Sequence, residues 1–178
     1  MYQTFYSAGI KVLDLTDFSL YLVRDLDNTF SYCDIDEIKF GHQELPFISS
    51  LQYCFSDVVI YKVDIENLIV PYATVTSMQN MFQSAKIPEV VLSKINTDGL
   101  TNMESFLYQT DIKTFDMRNI DTSNVTVMNS MFDNSKFKVI VTDGRTLGFK
   151  SIEAYKKATV SELNYIVKRK YGIDINDA

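Results

Sequence analysis

Little in this chain is equipped for chemistry. His42 is the only histidine, so a histidine-rich metal centre cannot form. The two cysteines, Cys33 and Cys54, are too few for a disulfide scaffold and are not spaced as zinc ligands. Glycine-rich phosphate loops and Gly-x-Ser-x-Gly nucleophile elbows are missing. The acidic groups Asp25-x-Asp27-Asn28 and Asp34-x-Asp36-Glu37 lack the loop spacing and central glycine of an EF-hand. Asp and Asn in such groups are better explained by caps and tight turns. No enzyme activity, cofactor or metal is therefore expected. No apolar run reaches the ~18–20 residues needed to span a membrane. The opening MYQTFYSAGIKVLDLTDF lacks a basic start, an apolar block and a small-residue cleavage site. The expectation is a cytoplasmic location for the chain as given, or the cell surface or exterior if it is an excised repeat domain. Basic residues are also in deficit, 17 Lys and Arg against 23 Asp and Glu, which argues against direct binding to a nucleic-acid backbone. The imbalance is local: residues 1–144 hold 10 basic and 19 acidic residues, whereas 145–178 hold 7 and 4.

What the chain does have is a repeat. Met78-x-x-Met81-Phe82, Met103-x-x-Phe106-Leu107 and Met128-x-x-Met131-Phe132 begin 25 residues apart. Upstream lie Leu51-x-x-Cys54-Phe55, Leu26-x-x-Thr29-Phe30 and Met1-x-x-Thr4-Phe5, so six units start at Met1, Leu26, Leu51, Met78, Met103 and Met128. Counted from the large apolar residue that closes each motif, four further columns stay apolar nearly throughout. Five residues on come Ile10, Ile35, Ile60, Ile87, Ile112 and Phe137; eight on come Leu13, Ile38, Val63, Val90, Phe115 and Ile140. Ten on come Leu15, Phe40, Ile65, Leu92, Met117 and Thr142; thirteen on come Phe18, Gln43, Leu68, Ile95, Ile120 and Arg145, with Gln43 and the sixth unit breaking the pattern. Alternation at the second and third of these columns predicts a short strand buried on one face. The opening motif has helical spacing, which predicts a short helix in each unit. One unit cannot bury its apolar face alone, but stacked units form a parallel sheet over a continuous core. The two extra residues near Pro71 fit a loop insertion. Cys33 and Cys54 fall in small or apolar columns, which predicts buried, reduced and inert thiols.

The segment Asp121-Thr122-Ser123-Asn124-Val125-Thr126-Val127-Met128-Asn129-Ser130-Met131-Phe132 resembles the DTSNVTxMxxMF signature of BspA-like leucine-rich repeats. Residues 96–103 and 73–78 carry weaker copies. Thr122, Ser123 or Asn124 is expected to cap the helix that follows. The resemblance implies a right-handed leucine-rich-repeat solenoid over residues 1–145 and, in exported proteins, adhesion or host-protein binding.

Residues 146–178 read as a helical capping segment over the open end of the core. One helix spans 151–158, and a second starts at Thr159 with a Val160, Leu163, Ile166, Val167 stripe. Lys168, Arg169 and Lys170 suit the last turn of that helix, or an acidic partner. At the other end, self-pairing through the first unit, near Tyr2 and Tyr6, gives a homodimer as one expected arrangement. On the strand face, outward positions are Val12 and Asp14, Glu37 and Lys39, Lys62 and Asp64, Glu89 and Val91, Thr114 and Asp116, and Val139 and Val141. Tyr61, Val91, Thr114, Asp116, Val139 and Val141 form the expected protein-binding patch, and Asp14, Lys39 and Asp64 an expected cross-strand charge row. The other functional class consistent with the acidic body is a small intracellular inhibitor from a phage or mobile element, blocking a nucleic-acid-handling enzyme.

Overall fold

The computed structural model describes residues 1–72, 74–116, 120–136 and 139–141. Eight strands follow one another: β1 (Gly9–Asp14), β2 (Asp34–Lys39), β3 (Gln43–Glu44), β4 (Val59–Val63), β5 (Leu68–Ile69), β6 (Glu89–Val91), β7 (Thr114–Asp116) and β8 (Val139–Val141). All pairings are parallel. β1, β2 and β4 form one sheet, β6, β7 and β8 a second, and β3 with β5 a third at the next corner of the coil. Ile10 is in register with Ile35 and Ile35 with Ile60, as the apolar columns require. From β1 to β7 the chain completes about four turns of a parallel-sheet β-solenoid.

The helices expected within the repeats are absent among the described residues. Among the described residues the one helical element is the 3-10 turn Ile65–Asn67. Each Met- or Leu-led motif is instead a run of tight turns with two left-handed residues four apart, such as Asn28 and Tyr32, Tyr53 and Asp57, or Asn80 and Ser84. The amides of these runs alternate. Thr29 and Ser31 bond back to Leu26 and Asn28 in their own coil, while Asn28, Phe30 and Tyr32 donate to Gln52, Cys54 and Ser56 of the next coil. Spacing explains the difference. Parallel strands lie about 4.8 Å apart, whereas packed helices need 8–10 Å between axes. A flat run of turns stacks straight at the strand repeat, whereas a helix in every coil needs the stack to curve. The closing phenylalanines record this repeat directly: Phe5, Phe30, Phe55 and Phe82 stack face to face, with centroids 5.6, 5.2 and 5.6 Å apart. Left-handed non-glycine residues are strained by about 1–3 kcal/mol each, and the inter-coil bonds offset that cost.

The signature polar residues serve these turns and not helix caps. Before four of the motifs the preceding side chain accepts the amide two residues on, from Asp25 to Asp27 at 2.6 Å and from Asn102 to Glu104 at 2.9 Å, with Ser50 and Ser77 in the same role. Asp121 accepts the Ser123 amide at 2.8 Å, and the Asn124 side chain donates to the Asp98 carbonyl of the preceding coil at 2.7 Å. The capping helices expected over 146–178, including Lys168, Arg169 and Lys170, lie outside the described residues.

Two positions depart from the apolar columns for one reason. Gln43 is fully buried. The two hydrogens of its Nε2 are shared among the carbonyls of Leu15, Phe18 and Phe40, at 2.9, 2.8 and 2.9 Å, and its Oε1 accepts the Leu20 amide at 3.1 Å. The side chain thus does for the first coil what the β3–β5 ladder does one coil later. The first coil is led outward around it, and Phe18, expected in the core, is 64% exposed. At the adjoining turn Gly41 has φ +61, and an added Cβ would lie 3.0 Å from Thr16 Cγ2. Glycine relieves both strain and crowding there.

Gln43→Leu preserves volume but strands three carbonyls and an amide in the core. Unsatisfied buried groups cost about 1–3 kcal/mol each, with partial relaxation, so the variant should lose about 3 kcal/mol of stability. Urea unfolding checks this, and a loss under about 0.5 kcal/mol would show that the side chain is not the clamp described.

Candidate protein-binding surface

The outward residues of the strands line up as the register dictates: Val12 with Glu37 and Lys62, and Val91 with Asp116 and Val141. The charge row is only partly an ion-pair ladder. Lys39 pairs with Asp14 at 3.4 Å, and Lys62 with Glu37 at 2.5 Å. Asp64 does not join Lys39. Its carboxylate accepts the amides of Phe40 at 2.6 Å and Gly41 at 3.1 Å and the Asn67 side chain at 3.1 Å. Bonding to Glu37 raises the Lys62 ammonium above its usual range, and bonds from the Thr16 hydroxyl and amide hold the Asp14 carboxyl below its own.

The face has one interruption. Val59 still bridges to Lys86, and the Ile60 amide donates to the Lys86 carbonyl at 3.0 Å. Two residues later stands Pro88, which has no N–H with which to continue the ladder. The β1–β2–β4 sheet therefore separates from the β6–β7–β8 sheet at this point. The seam opens a depression of about 430 Å³, lined by Asp34, Tyr61, Lys86, Pro88, Asp111 and Lys113 among others. Tyr61 is 65% exposed there. Coils two to five thus contribute an aromatic ring, a proline and two charges of each sign to one shallow site.

Of the residues expected on the sequence to bind a partner, Tyr61 lies in this depression. Val91 and Thr114 are half-buried on the neighbouring sheet. Asp116, Val139 and Val141 are placed by strand register alone, with Asp116 between Val91 and Val141 and Val139 beside Thr114. The sequence reading passed over Lys86, Pro88 and Lys113, which precede or follow the columns it treated as outward. It also missed the exposed apolar side chains Leu22, Phe47 and Tyr72, which lie away from the strands.

Residues 1–86 and 49–161 match the family described as Mycoplasma protein of unknown function, DUF285. The chain belongs to this family. The two matches overlap over residues 49–86, as expected when a family pattern is itself built of repeats. No curated protein and no solved structure matches the chain. Among the described residues no helix is long and apolar enough to cross a membrane, and no group of three or more His, Cys, Asp or Glu is arranged to hold a metal ion. In this DUF285 chain the acidic group around Asp25 is engaged in the turns: Asp25 accepts the Asp27 amide, and Asp27 accepts the Gln52 amide at 2.8 Å. Burial raises the Asp27 carboxyl above its usual range.

Both thiols are buried, and loss of hydration pushes Cys33 up and Cys54 far up from the usual thiol range. A thiol reacts as the thiolate. Native protein should therefore give almost no colour with an aromatic disulfide reagent at pH 8, and two thiols per chain in denaturant. Prompt reaction of either cysteine in the folded state would contradict this packing.

Proposed function

We propose that this DUF285 chain is a non-catalytic protein-binding solenoid of the BspA-like leucine-rich-repeat kind, with its partner site on the strand face. The observation that carries the proposal is Tyr61, an exposed ring beside Pro88 in a depression rimmed by Lys86, Lys113, Asp34 and Asp111. An aromatic anchor inside a charged rim is the composition of an interface hot spot. Val91, Thr114, Asp116, Val139 and Val141 extend the patch along the second sheet. In the same proposal the solenoid has six right-handed coils, from Met1 onward, and residues 146–178 form a helical cap that offers Lys168, Arg169 and Lys170 to an acidic partner.

An acidic inhibitor of a nucleic-acid-handling enzyme draws less support. Such a role needs a face of free carboxylates, whereas Asp14 and Glu37 are paired with lysines and Asp64 is bonded to backbone amides.

Affinity capture from lysate of the source cell and its natural neighbours, at low and high salt, tests the proposal when wild type is compared with Tyr61→Ala and Val91→Lys. Tyr61 is exposed, so its removal should leave circular dichroism unchanged. Truncating a hot spot costs about 2 kcal/mol or more, so the partner should be held at least ten-fold less tightly by Tyr61→Ala and persist in high salt. A partner that both variants retain, but that salt removes, would replace strand-face recognition with binding by the acidic body.

A further inference from the structure

Eight of the eleven tyrosines lie in the described residues. Among these residues Tyr6 and Tyr32 are the one pair of tyrosines whose rings meet. Their centroids stand 5.4 Å apart, and the ring planes are tilted by 57°. The repeat brings them together. Tyr6 follows the closing Phe5 by one residue, and Tyr32 follows Phe30 by two. The Phe5 and Ser7 amides donate to the Thr29 and Ser31 carbonyls, so the two turns are stacked and the rings stand in neighbouring columns one coil apart. Both rings reach solvent, at 46 and 55% exposure. Asp57 of the third coil lies beside the Tyr32 hydroxyl and accepts its hydrogen bond. The negative charge of that carboxylate, then burial, hold the Tyr32 phenol above its usual range.

We propose that Tyr6 and Tyr32 form an oxidative cross-linking site, which a haem peroxidase with hydrogen peroxide converts to a dityrosine bridge between the first two coils. Each phenol gives up one electron and its O–H proton. Tyr32 passes its proton to the Asp57 carboxylate, and Tyr6 passes its own to water. The ring carbons next to the two hydroxyls then join, one from each ring. Each of these carbons yields its hydrogen to the oxygen of its own ring, which restores both phenols. The two electrons and two protons released reduce one hydrogen peroxide to two waters. The geometry suits this bond. Rings joined carbon to carbon have centroids about 4.3 Å apart, so the pair must close by about 1 Å, a movement open to exposed side chains. Such a bond holds its rings twisted, as these two already are. Tyr61 and Tyr72 are more exposed, at 65 and 61%, but neither ring meets another tyrosine, so they couple only between chains. In dilute protein a ring in the same chain is present at a far higher effective concentration than one in another chain, so the Tyr6–Tyr32 bridge forms first.

The test treats the dilute full chain with a haem peroxidase and one equivalent of hydrogen peroxide. The monomer should gain dityrosine fluorescence and lose the mass of two hydrogen atoms. Trypsin should then release residues 1–11 joined to residues 25–39. Tyr6→Phe and Tyr32→Phe should each lower the fluorescence of the monomer at least ten-fold, and Tyr72→Phe should leave it unchanged. Asp57→Asn should slow the coupling at least three-fold; asparagine tolerates the left-handed backbone at this position, φ 54. Dityrosine confined to dimers, or a bridge in the monomer that persists in Tyr6→Phe or Tyr32→Phe, overturns the proposal. An unchanged rate in Asp57→Asn overturns the proton transfer to Asp57.

Discussion

One length governs this protein, the distance between successive coils. Parallel main-chain pairing sets it near 5 Å, and every layer of the structure conforms to it. Strand residues repeat in register, turn residues hand their amides to the next coil, and four phenylalanine rings stack at 5.2–5.6 Å. Turn runs that hold residues such as Asn28 and Tyr32 at positive φ keep to the same length without a helix in each coil. Stability in such a stack comes from neighbour contacts and not from any single coil.

Where the main chain cannot follow the repeat, side chains stand in for it. Gln43 bonds the backbone of the first coil that the β3–β5 ladder does not reach, and Asp64 accepts the amides of Phe40 and Gly41 where the second coil turns. Pro88 has the opposite effect. With no amide to give, it parts the two main sheets and leaves the depression beside Tyr61. The irregular features of the surface are thus by-products of local departures from periodicity: a missing hydrogen bond at the seam, and a displaced first coil that carries Phe18 into solvent.

The strand register was legible because burial alternates along a strand, and columns 25 residues apart expose that alternation directly. The turns were not. A motif with apolar residues at its first, fourth and fifth positions fits a helix and a run of turns equally well, and only the spacing to the neighbouring coil decides between them. Gln43 looked like a break in an apolar column because a glutamine with four backbone bonds cannot be told from an exposed one by type. Asp64 lies just past the end of β4, and its hydrogen bonds run to amides that no sequence column displays. The exposed side chains of Leu22, Phe47 and Tyr72 escaped because exposure was sought only on the strands.

The inter-coil bonds of the turn runs all point one way. Gln3, Phe5 and Ser7 donate to Asp27, Thr29 and Ser31, and the same sense recurs from Asn28, Phe30 and Tyr32 onward, through Ser105, Leu107 and Gln109 to Asn129, Met131 and Asp133. A stack built in this way is a vector. Wherever it stops, the side toward the N-terminus shows a row of carbonyl oxygens and the side toward the C-terminus a row of N–H groups. Through these turns, like ends would face acceptor to acceptor or donor to donor, with no hydrogen bond between them. Anything that continues the stack must arrive in the same sense, or present donors to one end and acceptors to the other.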